Sequence, residues 1–200
     1  MRKPTPVIGA LATLAVLACA QHDTELRSQR FALADDEARA AFDVVYEVLQ
    51  HPRCVNCHPA GDRPLQLDAG RPHEMNVVRG DDDGGVAGMR CAGCHFQENF
   101  DAAHMPPGVS TGWRLAPREM VFEGLDRVEL AAMLLDRSRS HMTPDELLVH
   151  VAHDPLVKWG WNPGPGREPV PVPHEDFVAA LRTWIEAGAP LPEIAREEED

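Results

Sequence analysis

Cys54, Val55, Asn56, Cys57 and His58 stand in one run, and Cys91, Ala92, Gly93, Cys94 and His95 repeat its pattern. Two thiols three residues apart each add to one vinyl group of the same porphyrin while the next residue's imidazole reaches the iron, so this is the spacing of covalent c-type haem attachment. The sequence therefore predicts two haem c groups per chain. Cys54, Cys57, Cys91 and Cys94 carry the thioether bonds, and His58 and His95 are the proximal iron ligands. Cys-x-x-Cys repeated twice is also the ligand pattern of a structural zinc site, and one pair alone matches a redox dithiol. Neither alternative needs a histidine after the second cysteine. Ten histidines in 200 residues put one at a given position about one time in twenty, so two such coincidences amount to roughly one in four hundred.

The sixth ligand of each iron, which sets potential and reactivity, does not follow from the motif. His73, between the two runs, is the first candidate. His150 and His153, three apart on one predicted helix, and Met120, in a loop just after Pro117, are the others. The Asp81, Asp82, Asp83 run lacks the twelve-residue spacing of a calcium loop and reads as a solvated turn.

The elements that must position these residues are mainly helical. A helix is expected over 35–50, with Asp35 as its cap and Ala38, Phe42, Val45 and Leu49 on one face, ending at His51-Pro52 ahead of the first motif. Residues 59–90 read as irregular, broken by Gly61, Pro64, Gly70, Pro72 and Gly80, with a short strand or turn over 75–79. Asp126 with Glu129 opens a helix through Leu135, and Thr143, Pro144 and Glu146 open another to about His153, stopped by Pro155. A stiff loop over 159–173 leads to a last helix over about 175–187, closed by Gly188. Trp113, Trp159 and Trp161 are candidate walls of the haem pockets. Met133 is expected in the core, Met89 against a haem edge, and His22 and His174 at the surface.

Cys54 and Cys91 are 37 positions apart, and a single-haem domain needs about 80 to 100 residues, so both haems must share one compact, loop-rich, cytochrome c-like unit over 35–192. Their irons are then close enough for fast electron exchange.

The start of the chain reads as an export signal over 1–20. Arg2 and Lys3 precede an apolar run, Val7 to Ala18, too short to span a bilayer, with small residues at the cut before Gln21. The same stretch resembles a lipoprotein box in which Cys19 becomes a lipid anchor. In either case the protein works in the periplasm, free or anchored. Residues 21–34 are expected to be a polar tether and 193–200 a disordered acidic tail. Loss of Arg2 and Lys3, two positive charges, takes the formal net charge from -13 to -15. That balance opposes binding to nucleic acid or an anionic membrane and suits docking on a basic patch of a redox partner. No later apolar run reaches the length of a transmembrane helix.

Beyond single motifs, the succession His51-Pro52-Arg53-Cys54, Asn56-Cys57-His58-Pro59, Gly61-Asp62, Pro72-His73, Met75-Asn76-Val77, Arg79-Gly80, Cys91 and Cys94-His95 resembles bacterial exported proteins catalogued as isoquinoline 1-oxidoreductase subunits. Trp113 with Leu115-Ala116-Pro117 and Met120 continues the similarity. So do His150, His153-Asp154-Pro155-Leu156-Val157 and Trp159-Gly160-Trp161, so that it covers about residues 41–190. The resemblance implies a cytochrome-like subunit that accepts electrons from a molybdenum hydroxylase acting on N-heterocycles. It places His73, His150, His153 and Met120 in motif segments. The chain has neither the cysteine clusters of an iron-sulfur subunit nor the length of a molybdopterin subunit, so its role would be electron acceptor and not catalyst. Two readings of other classes stand beside this: a di-haem enzyme such as a peroxidase, which needs one iron with an open sixth position, and a zinc-stabilised binding module.

Overall fold

A computed structural model of the chain describes residues 9–193, with side chains from Glu25 onward except Leu26. The first part of the expected signal, 1–8, and the acidic tail, 194–200, lie outside the described residues, as does the side chain of Cys19.

The longest element is helix α1, Gly9–Leu49. It starts well before Asp35, so the segment expected as a tether is helical and Asp35 lies inside the helix instead of capping it. No glycine or proline occurs between Ala10 and His51, and an alanine-rich stretch without either has nothing to stop helix propagation. The chain divides into two units at Glu37. The described part of the first unit is α1 alone, with Phe31 and Leu33 exposed.

The second unit, Ala38–Asp200, holds everything else. Ala38, Phe42, Val45 and Leu49 of α1 are all buried, as their spacing predicts, and Val48 joins them. After α1 comes α2, Pro52–Val55, whose N-cap His51 accepts through its ring from the Arg53 N–H. Two short antiparallel pairs follow, β1 Leu65–Gln66 with β2 Arg71–Pro72 and β3 Gly85–Val86 with β4 Met89–Arg90. A 3-10 turn over Glu74–Asn76 takes the place of the short strand or turn expected at 75–79, with Met75 and Asn76 at positive φ. A second 3-10 turn, Cys91–Gly93, carries the second motif.

Helix α3, Arg127–Leu135, opens on the Asp126/Glu129 capping box and α5, Pro144–His153, on the Thr143/Glu146 box, both reciprocal as predicted. The short α4, Arg137–Ser140, was not expected. Nor was α6, Pro155–Lys158. Pro155 ends α5 but also takes the first position of α6, because the Asp154 side chain caps the Leu156 N–H. Helix α7, His174–Glu186, closes the fold ahead of Gly188, whose φ of 88° suits a C-terminal glycine.

One apolar core joins the end of α1 with α3, α5 and α7. Its centre is Trp184, fully buried, with its ring centroid 4.6 Å from that of Phe42 and its Nε1 donating to the Pro190 carbonyl at 3.0 Å. Replacing Trp184 with alanine leaves a cavity that this packing cannot close. The expected loss is about 3–5 kcal/mol of unfolding free energy in denaturant titration. Among the described residues no helix is long and apolar enough to cross a membrane. The fold is mainly helical, and both short strand pairs lie in the segment between the two motifs.

Candidate functional site

Both motifs sit on tight helical turns, which bring residues three apart to one side. In the first, the Cys57 N–H donates to the Cys54 carbonyl at 3.1 Å and the His58 N–H to that of Val55 at 3.0 Å. In the second, the Cys94 and His95 N–H groups both donate to the Cys91 carbonyl, at 3.1 and 2.9 Å. The four cysteines form no disulfide. Burial pushes the Cys54 thiol up to about 12 and the Cys57 thiol up to about 11. Thiols held protonated in this way are poor redox dithiols, which act as thiolates.

The two histidines are held alike. His58 Nδ1 lies 2.8 Å from the Met120 carbonyl oxygen, and His95 Nδ1 lies 2.8 Å from that of Pro107. A carbonyl only accepts, so each Nδ1 carries the proton and each Nε2 keeps its lone pair. Burial lowers both imidazoles to about 4, against an opposing pull from the carbonyl bonds, so both are neutral at physiological pH. A neutral ring oriented by a carbonyl is the state in which histidine ligates a metal. Aromatic rings fix the planes: Phe122 stacks on His58 at 3.6 Å and 3°, and Trp113 on His95 at 4.8 Å and 7°.

The loops supplying those carbonyls are tied to the motifs by backbone bonds. The segment 115–123 runs along the first motif, with Ala116 N–H on the Cys57 carbonyl and Phe122 N–H on that of His58. The segment 96–109 folds back on the second. There Asn99 Oδ1 accepts from the Gly108 N–H and from Trp159 Nε1, at 3.1 and 3.0 Å. A Cβ on Gly108 would lie 2.1 Å from the Glu98 carbonyl oxygen, so only glycine allows this approach.

A cavity of about 280 Å³ joins the two motifs. Cys57 lines it from the first, and Cys91, Cys94 and His95 from the second. His73, Met89, Trp113 and Trp159 complete the walls relevant here. Trp161 does not reach it. That ring packs on Phe177 and His174 and donates to the Val172 carbonyl, so its place is in the core.

The sequence-predicted distal candidates separate clearly. His73 faces the cavity with its ring centroid 6.2 Å from that of His95, and its own Nδ1 is 2.8 Å from the Glu74 carbonyl. The two ring planes are tilted by 57°, so His73 is the distal candidate that the fold brings beside a motif histidine. Met120 is buried in the apolar core cluster, and what it gives to His58 is its backbone carbonyl. His150 pairs with Asp154 at 3.4 Å, and its charge would act on His58. His153 is exposed. Met133 is core as expected. His174 is more than a surface residue, since its Nε2 lies 2.8 Å from the Val151 carbonyl.

These residues fit two covalent haems. The cysteine turns and the Nδ1-protonated imidazoles match what thioether attachment and proximal ligation need, and the cavity reaches Cys57, Cys91, Cys94 and His95 but is not lined by Cys54 or His58. They fit zinc poorly, because among the described residues no three His, Cys, Asp or Glu side chains converge on one point. Pattern reading did not single out Phe122 or the carbonyls of Met120 and Pro107. Pro117, three positions before Met120, and Pro106-Pro107 were the available signal, since they stiffen the loops that return to the histidines. Compared with known proteins, the chain matches no family model, no curated protein and no solved structure.

Proposed function

We propose that this chain is an exported di-haem c-type cytochrome that takes electrons from a periplasmic dehydrogenase and passes them on. The observation that carries the reading is the matched treatment of His58 and His95, each beside a Cys-x-x-Cys turn with Nδ1 donating to a loop carbonyl and Nε2 left with its lone pair for a metal. Cys54 and Cys57 would hold one haem and Cys91 and Cys94 the other. A haem c bound there supplies a one-electron iron couple. The residues of the chain do the rest. Loop carbonyls orient the two proximal rings, Phe122 and Trp113 fix their planes, and His73 offers the second motif an opposing imidazole. Because one cavity is lined from both motifs, electrons would exchange between the sites inside the protein before leaving it.

The resemblance adds the donor, a molybdenum hydroxylase of N-heterocycles, and the expected export signal adds the compartment, with the chain free or lipid-anchored at Cys19. Spectroelectrochemistry of the holoprotein separates a carrier from an enzyme. A carrier gives two reversible one-electron steps, slow cyanide binding and no peroxide turnover. Rapid cyanide binding with peroxide turnover would make it a di-haem peroxidase instead.

A further inference from the structure

The chain has 32 acidic and 19 basic residues, yet the cavity is lined by four arginines, Arg53, Arg90, Arg114 and Arg167, and by one carboxylate, Glu74. Arg90 and Glu74 have partners of their own, Asp82 at 2.6 Å and Arg71 at 2.9 Å. Arg53 does not have enough. Its side chain is 1% exposed, its guanidinium lies over Trp159 at 5.8 Å, and one Nη reaches Asp68 at 2.5 Å. Its Nε has no hydrogen-bond partner. A buried guanidinium donor left unpaired is unusual enough to need a missing acceptor.

Arg167 stands beside it. Its Nη atoms reach only the carbonyls of Pro163 and Met105, and both burial and the Arg53 charge lower its pKa. The charge of Asp68 acts on both guanidinium groups, but only Arg53 contacts it, in a partly desolvated wall. The deficit is one negative charge with planar oxygen geometry, which a carboxylate supplies.

We infer that Arg53 and Arg167 form a carboxylate-binding corner of the cavity that takes a propionate of the porphyrin held by Cys91 and Cys94. This rests on the di-haem reading. A propionate held there would have its charge neutralised close to the second iron. Without the arginines that charge favours the oxidised form, so the potential of this haem falls while that of the first stays in place.

The test is a spectroelectrochemical titration of wild-type, Arg167→Gln and Arg53→Lys holoproteins, each first assayed for haem content. Arg167→Gln is the safer variant for folding, because Arg167 is only half-buried. Arg53→Lys keeps the charge but removes Nε. The expected result is two haems per chain throughout. In Arg167→Gln, one haem shows at least a tenfold lower reduced-to-oxidised ratio at fixed potential, about 59 mV for a one-electron couple. Arg53→Lys shifts the same haem by less, and added succinate leaves the wild type unchanged. Unaltered potentials in both variants overturn the inference. So does a succinate-induced shift in the wild type that the variants lose, since the corner would then serve a free carboxylate. A wild-type chain without haem overturns the underlying reading, and this inference with it.

Discussion

Expressed with a haem-attachment system, the Cys54→Ser/Cys57→Ser variant is expected to carry one covalent haem where the wild type carries two. Serine hydroxyls do not add to the porphyrin vinyl groups, and the second motif has its own anchor in the 96–109 loop, where Asn99 binds the Gly108 N–H and Trp159 Nε1. Intact mass under denaturing conditions reads the change directly, as the loss of one haem's mass. Stability should fall as well, because Cys54 and Val55 pack on the apolar core and His58 stacks on Phe122, whose N–H binds the His58 carbonyl. The mirror variant, Cys91→Ser/Cys94→Ser, should lose the other haem with a smaller loss of stability, since no cysteine of that motif packs against the core. Two haems retained in either variant would contradict the assignment of the thioethers.

The second large effect is expected at His73. In the holoprotein His73→Ala should convert one haem of the two from low-spin, with an imidazole on each side, to a form with an open sixth position. The readouts are a new high-spin signal in the electron paramagnetic resonance spectrum and one more equivalent of carbon monoxide bound per reduced chain than the wild type binds. The geometry behind this is the 6.2 Å spacing of the His73 and His95 rings, both with Nδ1 engaged by backbone carbonyls. Met120→Leu makes the contrast. Met120 serves His58 through its main chain, so its replacement should leave the axial spectrum as it was. A His73→Ala spectrum identical to wild type would remove His73 as a ligand.

What the sequence made legible was local. The boxes at Asp126/Glu129 and Thr143/Glu146 close within four residues, so the same side chains that predict α3 and α5 also form their caps. The buried face of α1 from Ala38 onward followed from its spacing for the same reason. The start of α1 did not. Residues 21–34 lack an apolar stripe in sequence, and the described side chains over 27–34 are exposed, so that part of the helix leaves no periodic signal to read. Strands of two residues are likewise too short to show alternation.

At the site, the Cys and His ligands were legible because covalent attachment fixes their spacing, and His73 because it sits between the motifs. The carbonyl partners were hidden, since any residue offers a carbonyl and those of His58 and His95 come from 62 and 12 positions away. Arg53 directly precedes Cys54, yet its burial under Trp159 and its pairing with Asp68 arise only when distant loops meet. Trp113 and Trp161 had the same standing in the sequence. The fold sends one to His95 and the other to the core.

The most direct test of the whole account is haem stoichiometry: pyridine haemochrome quantification with intact mass, on protein expressed with a haem-attachment system. Two covalent haems per chain are the predicted result. A chain that carries none, or that binds zinc through the same cysteines, would contradict it.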